Sequence, residues 1–153
     1  MKTGHDLDAL LGYAIRRAEV TMLGDARRAL EPFGLTPARL TALLLIRNNP
    51  GCDQTALGRA LSINRSSAMK LVNLLAERGL IERRAGRNLR TNALHMTSDG
   101  EAAIDAMLDA IGKSDRRMSA RLTEAERRSL FTLLHKLGAP RASRTHGGSR
   151  TES

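Results

Sequence analysis

The feature that most constrains the fold is a change of residue spacing after Gly79. Before this glycine, apolar residues recur every three or four positions, which is typical of helices that bury one face. After it, residues 80–84 and 92–96 have the composition of two short strands, and Ala85-Gly86-Arg87-Asn88 between them is typical of a turn. The sequence therefore predicts a series of helices, then a single β-hairpin, then further helices from residue 97 onward.

Residues that cap helices predict where six helices begin. The first is expected over residues 7–31, with Asp6 as its N-cap and with Pro32 and Gly34 ending it. The fourth is expected to end at Gly79, a natural residue for the position after a helix. The starts of the second to sixth helices are marked by Thr36-Pro37, Asp53, Asn64, Thr97 and a Thr123-x-x-Glu126 capping box.

Composition narrows the class of protein. Among 153 residues the only aromatic ones are Tyr13, Phe33 and Phe131, so the core must be aliphatic and a stacking platform for single-stranded nucleic acid is disfavoured. No apolar run reaches the length of a membrane span and no signal peptide is visible, so we expect a soluble cytoplasmic protein. The single cysteine, Cys52, excludes an intrachain disulfide, and no metal-ligand spacing is present, so we expect neither a metal nor another cofactor.

The charge balance favours a polyanionic partner. The chain has 25 Lys and Arg residues against 16 Asp and Glu residues, a formal net charge of +9. Residues 83–90 alone contain four arginines and no acidic residue. A surface of this kind attracts nucleic acid, although an arginine-rich composition alone is weak evidence for it.

The order of elements is that of a winged helix-turn-helix, with Ser62-Ile63-Asn64 as the turn between the third and fourth helices. Short polar and basic side chains at the start of such a fourth helix enter the major groove of DNA, and a basic hairpin contacts the minor groove. An ordinary amphipathic helix with a solvated face is the alternative for the fourth helix alone. Its outward side carries Arg65, Ser66, Ser67, Met69, Lys70 and Asn73, and the hairpin carries Arg83, Arg84, Arg87 and Arg90.

Over residues 7–137 the chain resembles the MarR family of bacterial transcriptional regulators. The most specific motifs are Leu35-Thr36, Asn49-Pro50-Gly51, Gln54-Thr55-Ala56-Leu57, Asn64-Arg65-Ser66-Ser67-Ala68, LVNLLAERGLIER at 71–83, and Thr97-Ser98-Asp99-Gly100. The resemblance implies a mainly α fold with a small β-hairpin wing, in which a winged helix-turn-helix at 35–96 is flanked by N- and C-terminal dimerisation helices at 1–34 and 97–138. Residues 139–153 lack an apolar anchor and are expected to be a disordered tail.

The resemblance also implies a function. The chain would be a homodimeric repressor on a pseudo-palindromic operator in double-stranded DNA, with Arg65, Ser66, Ser67 and Lys70 in the major groove and Arg90 in the minor groove. One motif departs from the family, whose wing usually contains Asp-Arg-Arg where this chain has Asn88-Leu89-Arg90. Because an amide accepts hydrogen bonds without charge assistance, the wing is less firmly braced, and Arg87 is a candidate for the missing basic contact.

In the family, a small aromatic or phenolic effector, or its thioester, often binds between the dimerisation helices and the winged helix-turn-helix. Its binding releases the protein from DNA. An arginine in such a pocket would suit a carboxylate ligand. The candidate residues here are Tyr13, Arg16, Arg17, Arg47 and His95.

Other functions are less favoured by the sequence. Cys52 and the histidines show no nucleophile–base arrangement, so we expect no enzyme, and Cys52 is either a packed thiol or a redox switch. A winged helix that docks another protein would favour a neutral or acidic outward side on the fourth helix, whereas the outward side here is basic. RNA is disfavoured because the A-form major groove does not admit a helix.

Overall fold

The computed structural model describes residues 4–85 and 92–138. The first predicted helix is divided into two, α1 (Gly4–Asp8) and α2 (Leu11–Leu30), which are separated by Ala9 and Leu10. Asp6 lies inside the first turn of α1, and Leu10 caps α2 without a side-chain hydrogen bond, so the prediction that Asp6 caps the long helix is wrong. A 3-10 turn, Glu31–Phe33, follows α2 and ends at Gly34.

The next three helices form the helical part of the winged unit. They are α3 (Pro37–Asn48), α4 (Gln54–Ala60) and α5 (Arg65–Glu77). Each predicted cap is confirmed: the Thr36 side chain accepts a hydrogen bond from the Arg39 backbone N–H at 3.4 Å, Asp53 from that of Ala56 at 2.7 Å, and Asn64 from that of Ser67 at 2.8 Å. Capping satisfies backbone donors that the first turn of a helix leaves unpaired, and this fixes where each helix starts.

The predicted hairpin is present after α5. Gly79 adopts a φ of +68°, and β1 (Ile81–Ala85) then pairs antiparallel with β2 (Asn92–Met96), so that Ile81 faces Met96. The first strand begins one residue later than predicted. The turn between the strands, including Arg87 and Arg90, lies outside the described residues, as does the predicted tail at 139–153.

The core is aliphatic, as the composition predicts. Leu43 and Ile46 of α3 pack with Val72 and Leu75 of α5, and buried residues of α4, both strands and α6 complete the cluster. Helix α6 (Ser98–Met118) begins where the Thr97 hydroxyl accepts a hydrogen bond from the Gly100 N–H at 2.9 Å, which confirms the predicted cap. The core therefore connects α3, α4, α5 and the hairpin to α6 within one compact unit that ends at Met118.

A polar cluster joins α2 to α6 inside this unit. The Asp25 carboxylate accepts hydrogen bonds from the buried Ser114 hydroxyl at 2.6 Å, from Arg117 at 2.8 Å and from Arg28 at 2.8 Å. These bonds, led by the one from Ser114, lower the pKa of Asp25 to about 2. The second half of α2 is thus anchored by charge-assisted hydrogen bonds as well as by Leu30 in the core.

The second compact unit begins at Ser119 and contains α7 (Glu124–Gly138). The predicted capping box is confirmed: the Thr123 N–H donates to the Glu126 carboxylate at 2.8 Å, and the Glu126 N–H donates to the Thr123 hydroxyl at 3.3 Å. The apolar side chains of α7 are exposed, among them Leu130, Phe131, Leu133, Leu134 and Leu137. The predicted grouping of residues 97–138 with 1–34 as one dimerisation region stays a prediction.

In the described ranges no single helix is both long and apolar enough to cross a membrane. Helix α2 with its 3-10 turn reaches that composition only as a pair with α3, across a bend of 72°.

Candidate nucleic-acid interface

The position of α5 is set by its close contact with α4. A Cβ atom added at Gly58 of α4 would lie 3.1 Å from the Cβ of Ala68, closer than an ordinary van der Waals contact, so a larger residue would push the two helices apart by a few tenths of an ångström. The turn between them is closed by a hydrogen bond from the Ile63 N–H to the Gly58 carbonyl at 3.0 Å. Ile63 itself is half-buried, and Ala68, Val72 and Leu75 face the core. The opposite side of α5 consequently faces solvent.

That solvent-facing side carries every residue predicted for it. Arg65 and Lys70 are exposed, and within residues 4–85 and 92–138 neither cation has a carboxylate within ion-pair distance. The backbone N–H groups of the first turn add partial positive charge at the same end of the helix. The other exposed residues of this surface, which we call the reading face, are Ser66, Ser67, Met69 and Asn73.

The first strand of the hairpin is tied to the reading face. Arg83 of β1 donates a hydrogen bond from its guanidinium to the Asn73 side-chain oxygen of α5. Its neighbour Arg84 pairs instead with Glu82 on the same strand. The sequence predicted Asn73 on the outward side of this helix and Arg83 and Arg84 on the basic hairpin. It did not predict the link between Arg83 and Asn73, because the turn at Gly79 brings these two residues together.

The residues predicted for an effector lie in two groups. Tyr13 is half-buried, and the Arg17 guanidinium carbon lies 6.0 Å from the centre of its ring. Arg47 of α3 extends to α6, where it pairs with Asp105 at 3.1 Å, and His95 is half-buried on β2. Across the described chain, no hydrogen bond or ion pair joins Tyr13, Arg16 or Arg17 to Arg47 or His95.

All three predicted effector arginines already have carboxylate partners. Arg16 pairs with Glu19 at 2.7 Å, Arg17 with Asp8 at 3.5 Å, and Arg47 with both Asp105 and Glu101. An anionic ligand would therefore have to compete with a side chain of the chain itself at each of them.

A cavity of about 270 Å³ lies elsewhere in the first unit. Arg78, at the end of α5, is its charged residue and donates a hydrogen bond to the Phe33 carbonyl at 3.1 Å. None of the five predicted effector residues lines this cavity, and sequence reasoning did not single out Arg78 as a binding residue. The lining residues are Phe33, Leu35, Arg78, Leu80, Ala103 and Met107.

Comparisons with known proteins identify the fold and the family. A MarR family model matches residues 33–90, which contain the helix-turn-helix and the first strand of the hairpin. The proposed transcriptional regulatory protein for the hcr operon of Thauera aromatica is 40% identical over 129 residues, which are 83% of this chain and 78% of that protein. The chain belongs to the MarR family.

Solved structures agree with the assignment to the MarR family. The transcriptional repressor CouR bound to a 23-mer DNA duplex is 30% identical with a TM-score of 0.83, over 91% of this chain and 99% of CouR. CouR has also been solved with p-coumaroyl-CoA. The Mycobacterium tuberculosis MarR family protein Rv2887 in complex with salicylic acid is 27% identical with a TM-score of 0.71, over 85% of this chain and 97% of Rv2887. The predicted resemblance and the predicted winged helix-turn-helix fold are both confirmed.

The thiol of this MarR protein is held near a strand. Cys52 is half-buried and forms a bridge with Leu94 of β2, in which the Leu94 N–H donates to the Cys52 carbonyl at 2.9 Å. Burial, with the charge of Asp53, raises the pKa of the Cys52 thiol. A raised pKa disfavours the thiolate that redox chemistry requires. Among the described residues, no group of three or more His, Cys, Asp or Glu side chains could hold a metal ion.

Proposed function

We propose that this MarR protein is a homodimeric repressor that reads a pseudo-palindromic DNA operator and is released from it by a small aromatic acid or its thioester. The observation that carries the proposal is the reading face, where Arg65 and Lys70 are exposed and, among the described residues, have no acidic partner, on a helix whose other side is buried in the core. Such a surface suits the major groove, where arginine and lysine pair with guanine and with phosphates. A role on chromosomal DNA would place the protein in the cytoplasm.

The minor-groove contact is assigned to the wing by resemblance. Arg87 and Arg90 are the candidates, and both lie outside the described residues. The link between Arg83 and Asn73 supports the wing's share in the interface, because it fixes the base of the hairpin against the reading face. Substitution of Asn88 for the family's usual aspartate removes charge assistance near Arg90, so we expect the wing to contribute less than α5.

Dimerisation follows from apolar surface that the single chain leaves exposed. Along α1 and the first part of α2, Leu7, Leu10 and Leu11 are exposed, and Leu11 is 67% exposed. Helix α7 separately exposes five large apolar side chains. Each of these exposed apolar stretches is unusual on a monomer, and MarR proteins use these terminal helices to form a two-fold dimer. Two reading faces would then meet two half-sites of one duplex.

An aromatic effector is supported by two neighbours. CouR is a repressor that has been solved with DNA and with p-coumaroyl-CoA, and Rv2887 has been solved with salicylic acid. Both ligands contain a phenol ring that is joined, directly or through a vinyl group, to a carboxyl group or its thioester. The predicted site consists of Tyr13, Arg16, Arg17, Arg47 and His95, and the cavity beside Arg78 is a second place where such a ring could enter.

The decisive experiment for DNA binding is an anisotropy titration with duplexes selected from a random pool. Arg65→Ala and Lys70→Ala should each weaken binding by about 1–3 kcal/mol and relax discrimination at particular base pairs. Arg90→Ala should weaken binding to many sequences together. Arg27→Ala is the matched control, because Arg27 is exposed on α2 and away from the reading face. Equal losses in Arg65→Ala and Arg27→Ala would contradict the assignment of α5.

The salt dependence provides a second test of the same assignment. Several phosphates must be neutralised on each half-site, so affinity should fall steeply between about 50 and 200 mM salt. An affinity that hardly changes over this range, or an RNA competitor that displaces the duplex, would exclude the proposed contacts.

The effector is tested with salicylic acid and p-coumaroyl-CoA as probes. Either should raise the melting temperature of the wild-type protein and lower its affinity for the selected duplex. Arg47→Gln and Arg78→Gln then separate the two candidate places, because only the variant at the true site should lose the response while retaining DNA binding. If neither probe changes melting or DNA binding, the proposed class of effector is wrong.

A further inference from the structure

One apolar side chain interrupts the polar reading face. Met69 is 49% exposed, whereas the other apolar residues in this part of α5, Ala68 and Leu71, face or border the core. Residues three and four positions away share its side of the helix, so Met69 is flanked by Arg65 and Ser66 on one turn and by Asn73 on the next. Among the described residues that pack against the core, Met69 does not appear. Its exposure therefore has no explanation in the packing of this chain.

The neighbour on the next turn is also fixed in place. The Asn73 side-chain oxygen accepts a hydrogen bond from Arg83, and among the described residues the Asn73 N–H₂ group has no acceptor, so it can donate to an acceptor on DNA. Arg65, on the previous turn, offers only donors. Met69 thus lies between two donor side chains, at the centre of the surface that would face the base edges.

The major groove of DNA contains one kind of apolar group. Guanine and adenine present acceptors and a donor there, cytosine presents a donor, and thymine presents an acceptor together with its C5-methyl group. A methionine side chain cannot replace the water that these polar atoms would lose, but it gains from contact with a methyl group. Its three rotatable bonds let it adjust to the position of that methyl.

We propose that Met69 selects thymine in each operator half-site by packing against the thymine C5-methyl group. The proposal rests on the proposed function, since it requires α5 to enter the major groove. Arg65 and Asn73 would contact groups on either side, and Met69 would add discrimination at a base pair that their donors do not specify. Cytosine, which lacks the methyl group, should be disfavoured at this position.

The experiment removes the methyl group from the DNA and the thioether from the protein. In the selected duplex each thymine is replaced in turn by deoxyuridine, symmetrically in both half-sites, and affinities are measured for wild type and for Met69→Ala. Loss of one methyl contact of roughly 0.8 kcal/mol corresponds to about fourfold per half-site, or about 16-fold for both. Wild type should show this loss at one thymine, while Met69→Ala should bind the thymine and uracil duplexes equally well.

Two comparisons keep the result specific. Arg27→Ala, on α2, should retain the full response to uracil, and the thermal unfolding of Met69→Ala should match wild type because the side chain is exposed. The proposal is overturned if wild type tolerates uracil at every position, or if Met69→Ala shows the same loss as wild type. If wild type instead selects no duplex at all, the proposed function has failed, which is a different outcome.

Discussion

Helices α3 and α7 are both amphipathic, yet their apolar side chains have opposite surroundings. Leu40, Leu43 and Ile46 of α3 are buried against α5, the hairpin and α6. Phe131 of α7 is 67% exposed, and Leu130 and Leu134 are exposed as well. The apolar face of α3 is thus buried within one chain, whereas burial of the apolar face of α7 requires a further surface. Under the proposed function, the buried core would support DNA binding and the exposed apolar face of α7 would contribute to self-association.

The largest effect is expected from a substitution in the buried core around α3. Leu43→Ala should lower the free energy of unfolding by about 2–5 kcal/mol, because it leaves a cavity where the side chain is fully buried. Urea denaturation measures the change. Met69→Ala, at an exposed position on α5, should stay within about 0.5 kcal/mol of wild type. Similar losses in the two variants would remove the distinction between buried and exposed faces on which the comparison depends.

The next effect is on assembly. Phe131→Asp should raise the dimer dissociation constant on the order of 100-fold, because a carboxylate would have to be desolvated in an apolar interface. In sedimentation equilibrium at micromolar concentration, wild type should show twice the 16.7 kDa chain mass and the variant a single chain mass. Thr132→Asp adds the same charge at the next position of α7 and should leave the dimer intact if it lies off the interface. A wild-type mass of 16.7 kDa would refute the interpretation of α7.

A smaller effect concerns α2, whose two halves repeat the contrast between α3 and α7. Its second half is fixed by Asp25, whose pKa is lowered to about 2 by Ser114, Arg28 and Arg117. A lowered pKa in the folded state means that this stabilisation is present above the ordinary pKa of 3.8 and is lost as the pH falls towards about 2. The free energy of unfolding of the wild type should therefore decrease as the pH falls from about 3.8 to about 2.

Asp25→Asn should weaken that pH dependence, since the amide does not titrate and cannot form the ion pairs. Asp109→Asn is the control, because Asp109 is exposed and its ion pair with Lys113 lies within α6, so it does not join two helices. Thermal unfolding between about pH 2 and pH 5 distinguishes the two variants. Equal pH dependence in Asp25→Asn and wild type would mean that other carboxylates dominate.

Local signals in the sequence predicted most of the fold. Thr36, Asp53 and Asn64 each cap the helix assigned to them, since a cap depends only on residues three positions away. The exposed face of α5 was predicted from the spacing of apolar residues every three or four positions. Asp6 was misassigned because the apolar stripe continues from Leu7 through Leu10 and Leu11, and periodicity alone does not detect that the helix is interrupted at Ala9 and Leu10.

Contacts between distant residues could not be predicted in this way. Asp25 and Ser114 are 89 positions apart, and their hydrogen bond depends on how α2 lies along α6. The partners of Arg47 on α6 are 58 and 54 positions away for the same reason, so a carboxylate pairing was not anticipated at a residue predicted to bind an anion. Family resemblance supplied the functional prediction, but only the structure shows which charges are already paired.

The smallest effect should come from the link between the wing and the reading face. Arg83→Ala removes the hydrogen bond to Asn73 without exposing core, so the free energy of unfolding should hardly change. Affinity for the selected duplex should fall about threefold to tenfold, because the Asn73 amide loses its fixed orientation and one cation is removed near the phosphates. Arg84→Ala removes the same charge from the next position of β1, where the partner is Glu82, so it should reduce affinity less.

Titrations at two salt concentrations separate the effect of charge from the effect of orientation. A loss of affinity that persists at high salt in Arg83→Ala, but not in Arg84→Ala, reflects the lost orientation of the Asn73 side chain. If the two variants behave identically at both concentrations, β1 contributes only charge, and the reading face depends on the core of the chain alone.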